Sequence, residues 1–143
     1  MVILTGASGG IGEYVYTNKS KEEFVLGITH KKSLKIIKNT KIEKIDLANE
    51  QEIKNFIIRN KEIFKNITLI HMAAIKIDKL MYNFKYEELL QTFSINCLAN
   101  FYLTKYMLPF MIKERWGRII NISSLASEGA LGSAAYASSK AAL

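Results

Sequence analysis

The chain has 143 residues, 49% apolar and 23% charged, with eight Gly, one Pro and one Cys; this excludes disorder, collagen and coiled coil, and a domain of this size buries a core without covalent staples. Cys97 alone excludes an internal disulfide, CxxC redox chemistry and thiolate zinc sites, and His30 and His71 are too few for a histidine metal centre, so a metal-free, reducing, cytoplasmic setting is expected. The net charge of +7 comes from 20 basic residues, 17 of them Lys, interleaved with apolar side chains rather than with Arg and aromatics, so no nucleic-acid partner is expected.

Val2 to Thr5 is a β-rich run that breaks at Gly6-Ala-Ser-Gly-Gly-Ile-Gly12, and Glu13 to Thr17 reads as a short helix. The opening run has no basic leader, so no secretory signal is expected. Phe24 to Thr29 reads as a second buried strand, Ser33 to Asn39 as a weak helix, and Ile42 to Leu47 alternates as a third strand does. Asn49 with Glu52 has capping-box spacing before a helix whose apolar positions are Ile53, Phe56, Ile57 and Phe64.

Ile67 to Ala74 is a fourth strand, Tyr86 to about Trp116 a long helical region with a bend at Pro109, and Arg118 to Ile122 a fifth strand. The apolar run Ile95 to Ile112 is interrupted by Asn96, Asn100, Lys105 and Pro109, so no membrane span is expected. Cys97 reads as a small core residue. A small-residue helix begins near Tyr136. Strands alternating with helices imply an α/β fold, a doubly wound parallel sheet of the Rossmann type covered on both faces.

A lone glycine turn serves many purposes, but the Gly6-x-x-x-Gly10-x-Gly12 turn between the first strand and a helix suits a diphosphate: glycine permits the tight turn and close backbone approach, and the helix start offers free N–H groups. Cofactor choice is read at the end of the second strand. Thr29-His30-Lys31-Lys32 has no acid to bind a ribose diol, and its cations suit a 2′-phosphate, so NADP(H) is favoured over NAD(H). A solvated start to a surface helix is the alternative for these lysines.

Tyr136 and Lys140 stand one helical turn apart on one face. A phenol titrates at about 10 in water; an adjacent ammonium in a partly desolvated site supplies the ~3–4 kcal/mol that brings it into the range of neutral-pH proton transfer. On spacing alone, a Tyr and a Lys on a helix surface remain the alternative.

Thr5-Gly-Ala-Ser-Gly-Gly-Ile-Gly12, Asn96, Arg118-Ile-Ile-Asn-Ile-Ser-Ser124 and Tyr136-Ala-Ser-Ser-Lys140 together resemble, in order and spacing, the compact branch of the short-chain dehydrogenase/reductase family along essentially the whole chain. The resemblance implies an NAD(P)-dependent oxidoreductase acting on a small carbonyl or secondary-alcohol substrate, with Tyr136 as proton donor or acceptor. It further implies that Lys140 holds the nicotinamide ribose, Ser124 bonds the substrate oxygen and Asn96 holds a proton-relay water. Gly6, Ser8, Ile11 and Gly12 would cradle the phosphates, Asp46 and Leu47 would meet the adenine, and Ala73 would line the ribose.

The chain departs from the family pattern at three places. His71-Met-Ala-Ala74 stands where Asn-Asn-Ala-Gly is usual, which resembles the extended branch and keeps a sugar-nucleotide epimerase or dehydratase open. Ser124 lies twelve residues before Tyr136, one fewer than usual, so Ser123 remains an alternative. Family members continue for roughly a hundred residues more, filling a domain of typical upper size. The expectation is therefore a piece of a longer, homo-oligomeric parent that lacks the last two strands. Inactivity of the piece, with nucleotide binding alone, is a further possibility. The fifth strand would then be an exposed edge.

Overall fold

The computed structural model describes residues 1–143. Strands β1 (Val2–Thr5), β2 (Val25–Thr29), β3 (Thr40–Lys44), β4 (Ile67–His71) and β5 (Gly117–Asn121) form one parallel sheet in the order β3-β2-β1-β4-β5. The order reverses between β1 and β4, and such a switch point opens a crevice at the carboxyl ends of the strands. This is the expected doubly wound α/β architecture.

Alternation along β1 builds both faces of the core. Ile3 points into a cluster with Leu26, Ile28, Phe56, Leu69 and Met107, beneath α2 (Glu50–Asn60) and α4 (Ala99–Lys113). Val2 and Leu4 point the other way, onto Tyr16 of α1 (Gly10–Lys19). Every residue of β1 and β2 is buried, whereas β5 is exposed except at Ile120 and pairs on one side alone, with β4, so β5 is the edge that was expected.

Four elements differ from the sequence reading. Residues 33–39 form no helix. Tyr16 Oη donates to the Lys35 carbonyl at 3.2 Å, and Thr40 Oγ1 accepts from the N–H of Ile37, at 3.0 Å, and donates to its carbonyl, at 2.7 Å. Side chains thus satisfy backbone groups that a helix would use, while Leu34 and Ile37 still pack on the Tyr16 cluster.

β3 lies two residues early, because its partner β2 ends at Thr29, opposite Lys44. Asp46 and Leu47 are thereby released from the sheet. Asn49 caps α2 by accepting from the N–H groups of Gln51 and Glu52, but Glu52 does not return the bond; its carboxylate accepts from the Asp46 N–H at 2.7 Å. The half-box is re-aimed to fix the loop after β3.

The long helix is interrupted before α4 rather than at Pro109. α3 (Tyr86–Phe93) passes into α4 through a wide π-type turn over Ser94–Leu98, centred on Asn96, and Pro109 sits inside α4. Wide turns of this kind rotate side chains out of helical register and often mark functional positions. Cys97, in the same turn, is half-buried on a groove beside β5 rather than in the core. No helix is long and apolar enough to cross a membrane.

Candidate active site

At the switch point a cavity of about 320 Å³ is lined by Gly6, Ser8, Gly9, His30, Lys31, Lys32, Asp46, Leu47 and Ala73, with Ile75 and Ile95 at the end nearest Asn96. Seven of the residues singled out in the sequence for a cofactor converge here: Gly6, Ser8, His30, Lys31, Asp46, Leu47 and Ala73. Gly10, Ile11 and Gly12 lie outside the lining. Gly10 opens α1, Ile11 is 72% exposed, and Gly12 is buried against the turn.

The glycines differ in what they do. Gly6 has φ +69°, and a Cβ there would stand 2.8 Å from the Ala73 backbone, so it sets how closely β1 and β4 exits approach. At Gly12 a Cβ would meet the Gly6 carbonyl oxygen at 2.1 Å. Gly9 begins α1 with no side-chain cap, which leaves the first-turn N–H groups open for an anion. A cavity joining this helix start to the cations after β2 and to Asp46 fits a dinucleotide.

Thr5 is a contributor that the sequence reading missed. Its buried hydroxyl accepts from the N–H groups of Met72 and Ala73, both at 3.0 Å, which pins the exit of β4 to β1. A threonine ending a buried strand gives no sequence signal of that kind.

Asn96 joins the cavity to the second half of the site. Its Oδ1 accepts from the Ile75 N–H at 2.8 Å, and its Nδ2 donates to the Ile75 carbonyl at 3.0 Å and to Ser139 Oγ at 2.9 Å. Its own carbonyl accepts from Asn100 Nδ2 at 3.1 Å. The side chain is therefore a clamp between the β4 exit and α5 (Ala134–Ala141).

α5 carries Tyr136 and Lys140. They do lie together: Lys140 Nζ is 6.0 Å from the centre of the Tyr136 ring. Lys140 is 3% exposed, its ammonium donates to the Ile122 carbonyl at 2.6 Å, and burial holds its pKa below the ordinary lysine value.

The two serines after β5 are committed differently. Ser123 Oγ donates to the Lys140 carbonyl at 2.8 Å, so its proton is in use. Ser124 Oγ accepts from the Ala126 N–H at 3.1 Å, capping a 3₁₀ turn over Leu125–Glu128, which leaves its own O–H free to donate.

His71 ends β4 with its imidazole buried, 1% exposed, and Nε2 2.9 Å from Thr104 Oγ1 on α4. His71, the first residue of the His71–Ala74 run that suggested the extended branch, is thus packed against α4, whereas Met72, Ala73 and Ala74 line the cavity. Burial pushes its pKa down to about 4. The folded chain holds His71 neutral, while the unfolded chain takes up a proton below the ordinary value of 6.5. This contribution is complete above that value and is lost as pH falls from there towards 4. Between pH 7 and 5, urea unfolding is expected to cost the native chain about 2 kcal/mol more stability than the His71→Asn variant loses. Equal losses would show that the imidazole is not held neutral.

The short chain dehydrogenase family model matches residues 1–143. The chain belongs to the short-chain dehydrogenase family. Among curated relatives of this short-chain dehydrogenase chain, the 3-oxoacyl-[acyl-carrier-protein] reductase FabG of Rickettsia typhi is 37% identical across 99% of it, and the ketoacyl reductase HetN of Nostoc sp. is 30% identical across 99%. The chain spans 61% of the first and 54% of the second. In fold it is similar to a 4-hydroxyisoleucine dehydrogenase solved with NADH and succinate (TM-score 0.90, 23% identity, 99% of this chain and 67% of that one). It is also similar to the serine dehydrogenase from Escherichia coli (TM-score 0.87, 23% identity, 98% and 69%). These two likenesses show the fold.

Proposed function

We propose that the protein is an NAD(P)-dependent oxidoreductase that interconverts a carbonyl and a secondary alcohol, prefers NADPH, and takes 3-oxoacyl thioesters as its substrate class. The observation that carries this reading is the Tyr136–Lys140 pair, 6.0 Å from ammonium to ring centre, tied through Asn96 and Ile75 to the switch-point cavity. The substrate class follows the printed names of the ketoacyl reductases to which the chain is similar.

When bound, the nicotinamide supplies or takes up the hydride. Gly6, Ser8 and the first-turn amides of Gly10, Ile11 and Gly12 hold the diphosphate, Ala73 lines the ribose, and Asp46 with Leu47 forms the adenine end. Ser124 donates its free hydroxyl to the substrate oxygen and Tyr136 gives that oxygen its proton in reduction, or removes it in oxidation. Lys140, a buried cation beside the phenol ring, favours the phenolate and reaches the nicotinamide ribose. Asn96 keeps α5 in register with the cavity.

His30 and Lys31 line the adenine end, where the cations favour a 2′-phosphate. Lys32 is drawn aside by Glu13, 3.7 Å away, so Lys31 is the cation assigned to that phosphate. Lys31→Glu is expected to weaken NADPH binding about tenfold or more, with NADH little changed, as read by nicotinamide fluorescence. Equal losses for both would remove the assignment.

The reading is tested by following NADPH and NADH with a panel of ketones and 3-oxoacyl thioesters. Consumption of NADPH with formation of the 3-hydroxy product supports it. Redox-neutral conversion of a sugar nucleotide, or cofactor binding with no turnover of any substrate, contradicts it.

A further inference from the structure

The helix that bears Tyr136 starts unusually. Ser133 occupies its N-cap position, yet its side chain bonds to no first-turn N–H; the hydroxyl donates instead to Asp78 Oδ1 at 2.5 Å. A capping serine normally accepts from the second or third helical N–H, and the third residue here is Tyr136. Ser133 is 3% exposed, so the hydroxyl–carboxylate bond is shielded on its side.

The other oxygen of Asp78 lies 2.9 Å from Lys76 Nζ. That ammonium is 6.0 Å from the centre of the Tyr136 ring, the same distance as Lys140. Two cations therefore flank one phenol, and Asp78 holds the second of them.

Residues 75–79 form a strap anchored at both ends. Asn96 grips Ile75 through both of its backbone groups. At the far end the Lys79 N–H donates to the Gly132 carbonyl at 2.7 Å, Lys79 and Ser133 form a parallel bridge, and Lys79 Nζ meets Glu88 of α3 at 2.5 Å. The Ser133 hydroxyl, and after it Lys76, hold the Asp78 carboxyl below its ordinary value, so it is an anion at neutral pH. An anion at the start of a helix is favoured by the N–H dipoles there.

We propose that Asp78 is a positioning residue for Tyr136: its carboxylate anchors the first turn of α5 through Ser133 and holds the Lys76 ammonium against the phenol ring. The proposal deepens the reading of Tyr136 as the proton donor and rests on it for its functional meaning. Its structural content can be read without turnover.

The test is amide hydrogen exchange on the full chain, with ¹³C NMR of labelled tyrosine rings, the Tyr136 signal being assigned by its loss in Tyr136→Phe. In Asp78→Ala and in Ser133→Ala, the first hydrogen-bonded amides of α5, from Ala137, which donates to the Ser133 carbonyl, to Lys140, are expected to exchange about tenfold faster while those of β1 and β4 keep their rates. The double variant should be no faster than the faster single one, and Ser133→Thr should restore the native rate. The Tyr136 ring signal should move in Asp78→Ala and in Lys76→Met. Unchanged α5 exchange, additive effects in the double variant, equal acceleration across sheet and helix in Ser133→Ala, or an unmoved ring signal would each overturn the proposal. Absence of NADPH consumption with these exchange results intact would remove the proton-donor reading and leave the anchoring by Asp78 standing.

Discussion

Tyr136→Phe is expected to lower carbonyl reduction by about 10²–10⁴-fold while NADPH binding changes less than about twofold. The variant keeps the ring, and with it the packing on α5 and the flanking ammonium groups of Lys76 and Lys140. It removes only the hydroxyl proposed to give the proton to the substrate oxygen. The cofactor cavity has no lining atom from Tyr136, so binding is the internal control. Turnover by initial rate and affinity by nicotinamide fluorescence, measured on one preparation, separate the two effects. A variant that keeps turnover within about threefold would show that another group moves the proton, since general acid catalysis of this kind supplies far more than that.

Gly12→Ala is expected to destabilise the chain by about 3 kcal/mol, lowering Tm by about 10 °C, and to weaken NADPH binding more than tenfold. The added methyl would stand 2.1 Å from the Gly6 carbonyl oxygen and 3.2 Å from Ala7 Cα, both backbone, so no rotamer relieves the contact. The turn must open, and with it the start of α1 proposed to hold the diphosphate. Gly10→Ala is the control, because a Cβ there meets nothing within 4 Å. Its stability should stay within about 0.5 kcal/mol of the native chain, since alanine is the better helix former at a position without strain. Thermal melts of both variants check the contrast. Equal melting temperatures would show that the turn relaxes freely and that Gly12 is not what sets its shape.

The sheet was legible because each strand is a short apolar run closed by a turn, and β1 through β5 all formed within two or three residues of their expected places. What failed was local. Residues 33–39 have helical apolar spacing, but Thr40 and Tyr16 capture the backbone groups of Lys35 and Ile37, and such tertiary bonds leave no trace in periodicity. The wide turn at Ser94–Leu98 was hidden for the same reason: Asn96 is held by Ile75 and Ser139, distant in sequence, whereas Pro109 carries an obvious local signal and yet lies within α4.

At the site, the residue types were readable and their partners were not. Seven of the residues expected at the cofactor line one cavity, because glycine, a strand end and a cationic turn each have a stated physical use there. Ser123 and Ser124 differ in hydrogen-bond partners that spacing does not show: one proton is committed to the Lys140 carbonyl and the other is free. Thr5, Asp78 and Ser133 went unnoticed because each acts through a contact between separate loops or strands.

The most direct test of the account follows the transferred hydrogen itself. The protein is incubated with NADPH deuterated at nicotinamide C4 and a 3-oxoacyl thioester, and the product is examined by mass spectrometry. Deuterium on C3 of the 3-hydroxyacyl product, lost in Tyr136→Phe, is the predicted result. Product without deuterium, or deuterium transfer undiminished in Tyr136→Phe, would contradict it.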